Sequence, residues 1–327
     1  MSAILNAVLV IGVMGLLLGA GLAAASKVFA VEKDPRIDEV KEVLPGANCG
    51  GCGLPGCDAM AEAIVTGKSP VNGCPVGGAA VAAKVAAIMG MEAGETERQV
   101  AFVSCKGCKE DCTYKYEYYG EKDCQEAMVA MGGDKTCEYG CLGYGSCVKA
   151  CKFDAIHINE KGLAEVDPDK CTSCGACIAV CPKNVIRLVP ESGKVFVSCN
   201  SHDKGKEVKV NCKVGCIACG ICVKNCPFEA ITIEEGTNLP KIDYSKCRSC
   251  MICVEKCPQK SITSTLEKRK KVVINEEKCV KCGICKKNCP KEAIEGEVKQ
   301  PHKVLEDKCI GCGICAEKCP KDAITME

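Results

Sequence analysis

Five stretches of the chain set four cysteines in the spacing C-x2-C-x2-C-x3-C-P, opening at Cys171, Cys216, Cys247, Cys279 and Cys309. Glycines such as Gly175, Gly220, Gly283 and Gly313 let so short a loop turn sharply enough for its first three sulfurs to converge. Three converging thiolates fit three corners of a [4Fe–4S] cubane, and the fourth cysteine points away to the cubane of a second run. Reversible one-electron transfer is the chemistry such a set supports, with no bond made or broken in a substrate.

The fourth cysteines open a repeat that pairs the runs. CKFDAI, CPKNVI, CPFEAI, CPQKSI, CPKEAI and CPKDAI begin at Cys151, Cys181, Cys226, Cys257, Cys289 and Cys319, and the shorter intervals join them as three two-cluster modules. In the second module Cys216, Cys219 and Cys222 take Cys257, while Cys247, Cys250 and Cys253 take Cys226. In the third, Cys279, Cys282 and Cys285 take Cys319, while Cys309, Cys312 and Cys315 take Cys289. In the first, Cys171, Cys174 and Cys177 take Cys151, and the stretched run CEYGCLGYGSCVKAC offers Cys137, Cys141 and Cys147 to pair with Cys181. Gly140, Gly143 and Gly145 let that longer loop keep its sulfurs convergent, and Lys152 stands where the other runs have proline. Pieces such as AIHI, AITI and SITS after the fourth cysteines predict short strands in small hairpins packed on the clusters.

A different spacing, C-x2-C-x4-C-x16-C, places Cys49, Cys52, Cys57 and Cys74 around a predicted amphipathic helix, which reads as one more [4Fe–4S] site with zinc as the alternative. Six cysteines remain: Cys105, Cys108, Cys112, Cys124, Cys199 and Cys212. AFVSC and VFVSC end at Cys105 and Cys199 and lead into polar excursions ending at Cys124 and Cys212, so two related strand–loop units are expected. Side by side, their four sulfurs would hold an eighth cluster. Cys105, Cys108 and Cys112 could equally donate three ligands, or all six could be free thiols.

Composition agrees with metal-built cores. The chain has 34 cysteines, no tryptophan and 4% aromatic residues in 327, too few large apolar side chains for ordinary cores throughout. Zinc ribbons separate their C-x2-C pairs by longer loops, and disulfides are disfavoured by the crowding of adjacent cysteines and by a reducing compartment. The net charge of +1 argues against a nucleic-acid partner, and seven cubanes near −2 each would take the loaded chain to roughly −13.

Ala3 to Ser26 is an uncharged apolar run long enough to span a bilayer. Lys27, Lys33 and Arg36 follow it, which predicts a single-pass anchor in the cell (inner) membrane with the remainder on the cytoplasmic side. A cleaved signal peptide competes through Ala23-Ala24-Ala25, but the run is too long and lacks a basic start. Gly15 and Gly19 form a GxxxG pair suited to close helix approach.

The expected fold is α+β: a transmembrane anchor (1–30), a small helical iron–sulfur domain (31–98), a cysteine-containing strand–loop segment (99–136), and bacterial two-cluster ferredoxin-like modules at 137–198, 216–268 and 269–327, with an inserted strand–loop at 199–215. This combination resembles the B subunit of the Rnf complex, the membrane-bound ferredoxin:NAD oxidoreductase that exports sodium or protons. LPGANCGGCGLPGC and the stretched CEYGCLGYGSCVKAC run carry the resemblance, which covers nearly the whole chain. It implies an electron relay from soluble ferredoxin to the other Rnf subunits and the membrane, without a catalytic acid, base or NAD site. Three ferredoxin modules, where shorter family members have one, imply a longer wire. The rival readings are a polyferredoxin wire for another anaerobic redox enzyme and a non-redox metal scaffold. For ferredoxin docking, Lys268 to Glu327 holds 14 basic and 10 acidic residues, including KRKK at Lys268 to Lys271. His157, His202 and His302 are isolated and read as surface or strand residues.

Overall fold

The structure, a computed structural model, describes residues 2–28, 34–94 and 97–327; Lys33 lies outside them. Helix α1 (Ser2–Val28) has a mean hydropathy of 2.4 from Val8 to Ala25, none of it buried against the protein. By length and composition it can cross a membrane.

Three helices follow: α2 (Arg36–Val43), α3 (Cys57–Val65) and the alanine-rich α4 (Gly78–Met89). They bury Val40, Met60, Ile64 and Val85 in one small core, which brings both ends of the α3 segment, and hence Cys57 and Cys74, toward the Cys49–Cys52 loop.

The rest of the chain repeats one plan three times. An outer strand leads in, a cysteine run and short helix follow, a hairpin returns the chain to a second run, and a closing strand pairs with the first. The first repeat pairs β1 (Gln99–Val103) with β4 (Ile186–Pro190) around the hairpin β2 (Ile156–Ile158) and β3 (Ala164–Val166). The second pairs β5 (Val195–Val197) with β8 (Ile262–Ser264) around β6 (Ile231–Ile233) and β7 (Pro240–Ile242). The third pairs β9 (Val272–Ile274) with β12 (Ile324–Met326) around β10 (Ile294–Glu295) and β11 (Lys303–Val304). All six pairings are antiparallel.

The strands after AIHI and AITI do form hairpins, whereas SITS becomes β8 and closes onto β5. Pairing also crosses the boundaries expected from the cysteine runs. AFVSC begins in β1 and VFVSC in β5, so these units are the lead-in strands of repeats one and two, each followed by an insertion before its first run.

Each run uses the same backbone device. Residues two and four places after the first cysteine hold positive φ, as at Ser173 and Gly175 (59° and 75°) or Lys281 and Gly283 (57° and 74°). In the stretched run Gly143 (φ 79°) cannot be replaced, because a Cβ there would lie 2.1 Å from the Gly162 carbonyl oxygen. The turn after every fourth cysteine also repeats, with positive φ three residues on at Asp154, Asn184, Glu229, Lys260, Glu292 and Asp322.

The turn that holds Lys152 in place of proline thus keeps the repeated feature at Asp154. Among the described residues the Lys152 N–H donates to no backbone acceptor. Lys152→Pro is expected to stabilise the chain by about 0.4–1 kcal/mol by narrowing the unfolded ensemble, read as a higher denaturant midpoint under anaerobic conditions.

Candidate metal centres

The folded loops gather cysteines around cavities of similar size. Cys216, Cys219 and Cys222 meet Cys257 around about 370 Å³ of empty space, walled by Ile221 and Ile262. Cys171, Cys174 and Cys177 meet Cys151 around about 360 Å³. Cys49, Cys52, Cys57 and Cys74 surround about 330 Å³. In that last site Asn48 holds the loop, its Oδ1 accepting the Cys57 N–H at 2.7 Å.

Two of the remaining runs have the exchanged fourth cysteine in their electrostatic surroundings. Burial, with Cys250, Cys247, Cys222 and Cys226 nearby, pushes the Cys253 thiol up to about 12. Burial, with Cys312, Cys309 and Cys289 nearby, pushes Cys315 up to about 11. Cys279 and Cys282 act in the same direction on Cys285, after burial.

Thiol sets of this kind fit iron–sulfur clusters. Four cysteines line each cavity, and no histidine or carboxylate lines any of the three. Among the described residues no three His, Cys, Asp or Glu side chains close tightly enough on one point to hold a single ion. A cubane's ligands stand farther apart, each on its own iron. The backbone adds N–H donors aimed at sulfur: Ala155 to Cys151 at 3.4 Å, Ala230 to Cys226 at 3.4 Å, Ser261 to Cys257 at 3.3 Å, Ala293 to Cys289 at 3.2 Å and Ala323 to Cys319 at 3.4 Å. Such bonds favour negative sulfur and raise the potential of a bound cluster.

The stretched run divides its sulfurs between two environments. Burial, then Cys141, Cys124, Cys181 and Cys177, pushes Cys147 up to about 12. Cys137, up to about 11, is perturbed first by burial and among thiols by Cys105, Cys199 and Cys212. Cys124 opens helix α5 (Cys124–Val129), where its N–H donates to Ser146 Oγ at 2.7 Å and the adjacent Gln125 Nε2 donates to the Val180 carbonyl at 2.8 Å. It is thus held between the neighbours of Cys147 and Cys181. Cys108 is buried, with its Sγ donating to Asp111 Oδ2 at 3.0 Å.

Three features had no signal in the sequence. Lys135 is 3% exposed and donates through Nζ to the Gly107 carbonyl at 2.8 Å. The rings of Tyr139 and His202 stack at 4.5 Å. His302, read from sequence as a surface or strand residue, is instead buried, with neither ring nitrogen partnered. Of KRKK, Arg269 pairs with Glu255 and Lys271 with Glu306, which leaves Lys268 and Lys270 exposed.

Iron binds thiolate, and burial keeps these sulfurs protonated well above neutrality: Cys177, Cys216 and Cys315 sit at about 11, Cys147 and Cys253 at about 12. Cluster uptake near pH 7 must therefore displace protons from these raised thiols, and lower pH must oppose loading. Anaerobic reconstitution of the apoprotein is expected to acidify a weakly buffered solution and to run further to completion at pH 8.5 than at pH 6.5; loading independent of pH would contradict this.

Comparison with known proteins matches these sites to described families. Residues 44–76 match a family described as "Putative Fe-S cluster". Residues 136–188 and 272–326, 215–262, and 246–293 match families described as "4Fe-4S dicluster domain". The chain is 56% identical over 248 residues to the B subunit of the Na(+)-translocating ferredoxin:NAD(+) oxidoreductase complex of Acetobacterium woodii, covering 76% of this chain and 74% of that one. It is 48% identical over 246 residues to the B subunit of the ion-translocating oxidoreductase complex of Methanosarcina acetivorans, covering 75% and 92%. It is 46% identical over 251 residues to the B subunit of the proton-translocating ferredoxin:NAD(+) oxidoreductase complex of Clostridium ljungdahlii, covering 76% and 87%. Identity of this order, spread across both the small iron–sulfur domain and the ferredoxin-like repeats, makes the chain a member of the family of Rnf B subunits, components of ion-translocating ferredoxin:NAD oxidoreductases.

Proposed function

We propose that this chain relays electrons within an ion-translocating ferredoxin:NAD oxidoreductase complex, receiving them from reduced soluble ferredoxin and passing them to the complex's membrane subunits. The observation that carries this reading is the pair of largely apolar cavities that each gather three cysteines of one run and a fourth from a neighbouring run. A [4Fe–4S] cluster bound there supplies reversible one-electron uptake. The residues of the chain hold it, exclude water and aim N–H groups at its sulfurs. Seven sites follow from the runs: one in the small domain, two in each repeat.

Contacts between units order these sites. A Cβ on Gly51, between Cys49 and Cys52, would lie 2.4 Å from the Cys174 carbonyl oxygen, so the small domain rests directly on the second site of repeat one. Arg248, inside the Cys247 run, pairs with Glu317 beside the Cys315 run, which joins repeats two and three. The small domain thus lies at the anchored end, and repeat three offers the far end for a soluble donor. Lys27, Lys33 and Arg36 after the apolar helix favour a cytoplasmic location for all of it. Of the relatives named above, one is named for sodium and another for protons, so the ion belongs to the complex rather than to features these chains share.

The test is stoichiometric reduction of the anaerobically purified chain by reduced ferredoxin, seen as bleaching of its visible absorbance. Absence of bleaching in an iron-loaded sample removes the donor. Failure to co-purify with integral membrane subunits favours a polyferredoxin serving a soluble enzyme. Charge reversal at Lys268 and Lys270, which leaves both ion pairs of the stretch intact, is expected to slow ferredoxin oxidation about tenfold at low salt and little at high salt. An unchanged rate removes that docking surface.

A further inference from the structure

The insertions after β1 and β5 meet. Phe102 and Phe196, equivalent residues of AFVSC and VFVSC, stack with ring centroids 4.5 Å apart, which brings Cys105 and Cys199 to one seam. Beyond them Cys112 and Cys212 form an isolated antiparallel bridge with sulfurs 3.6 Å apart. Between lies a cavity of about 400 Å³ lined by Cys105, Cys112, Cys137, Cys199 and Cys212, close in size to those of about 370 and 360 Å³ in the ferredoxin-type sites.

Three observations mark it as built for an anionic group. Gly107 stands where a Cβ would come within 2.4 Å of Cys112 Sγ and 3.0 Å of Cys212 Sγ, so the wall is cut back to the backbone. Backbone N–H groups point at the sulfurs as they do in the other sites: Cys141 to Cys105 at 3.3 Å, and Cys216 and Ser201 to Cys199 at 3.2 and 3.5 Å. Lys135 is buried against the cavity wall, its Nζ donating to the carbonyl of the lining residue Gly107, and among the described residues no ion pair joins it to a carboxylate. A buried ammonium without a counter-ion is costly, and a thiolate-ligated cluster would supply the missing negative charge.

We propose that an eighth [4Fe–4S] cluster sits in this seam, held by Cys105, Cys137, Cys199 and Cys212, and that Cys124, not Cys137, completes the site of Cys141, Cys147 and Cys181. The inference rests on the reading of the runs as cluster sites. Cys112 is too near Cys212 for both to hold separate corners of one cubane, and it donates its S–H to Cys212 instead. Cys124 is already positioned between Ser146 and Val180, next to Cys147 and Cys181. The seam lies between the repeats, since Cys105 is bonded by the N–H of a repeat-one ligand and Cys199 by that of a repeat-two ligand. A cluster held there would supply reversible one-electron transfer between the two repeats.

Iron and acid-labile sulfide on the anaerobically purified full chain test this directly, with native mass spectrometry of the same sample. Wild type should carry about 32 of each rather than about 28. Cys199→Ala/Cys212→Ala should lose about four irons, and adding Cys137→Ala should cost no more. Cys124→Ala alone should also lose about four, while Cys112→Ala should lose none. A wild-type mass matching seven clusters, which needs no variant to fold, overturns the proposal while leaving the ferredoxin-type sites standing. So does a Cys112–Cys212 disulfide in that sample. A folded chain with almost no iron overturns both readings together.

Discussion

The exchange of fourth cysteines between runs is the constraint on which the rest depends. A run supplies three sulfurs from one tight loop, but its site closes only when a cysteine from the other half of the repeat arrives. The two halves are joined by a hairpin of two or three residues per strand, too small to be stable alone. The core of the third repeat reduces to Val272, Ile294 and Ile324 with Cys285 and Cys315 among its buried members. Under the proposed assignment, ligation would supply much of the tertiary structure of these repeats, as it does in other small metal-built domains.

That dependence explains the backbone. Positive φ at Ala218, Ser249 and Lys281 is unfavourable for residues with a side chain, and recurs at the same place in each run because convergence of the sulfurs demands it. Met251 occupies a position where the other runs have glycine, and its side chain is buried in the core of repeat two. There, packing offsets a conformation that the loop imposes.

Much of this was legible in the sequence because the ligand spacing is itself the geometry. A C-x2-C-x2-C loop can converge its sulfurs in few ways, so Cys216 to Cys222 and their distant partner Cys257 could be grouped from spacing alone, and the cavity they line has that composition. The apolar helix and the small domain were equally plain from hydropathy and spacing. The insertions were not. Cys105 and Cys199 lie far apart in the chain and in no run, and tertiary contacts bring them together: the stacking of Phe102 on Phe196 and the bridge of Cys112 to Cys212. Similarity of AFVSC to VFVSC hinted at kinship, yet not that the strands belong to the sheets of two different repeats. The environment of Cys137 was hidden for a related reason, since spacing reports how far sulfurs can reach and not which way a stretched loop turns.

The order of contacts gives the molecule a one-dimensional character. Gly51 meets Cys174, Cys105 meets Cys141, Cys199 meets Cys216 and Arg248 meets Glu317, and each junction touches a ligand loop directly. The junctions differ in kind. The first three are backbone or sulfur contacts that hold positions closely, while the last includes the exposed Arg248–Glu317 ion pair, a kind of pair that contributes about 0–1 kcal/mol and weakens with salt. The junction of repeats two and three is thus the one of the four that includes a salt-sensitive contact.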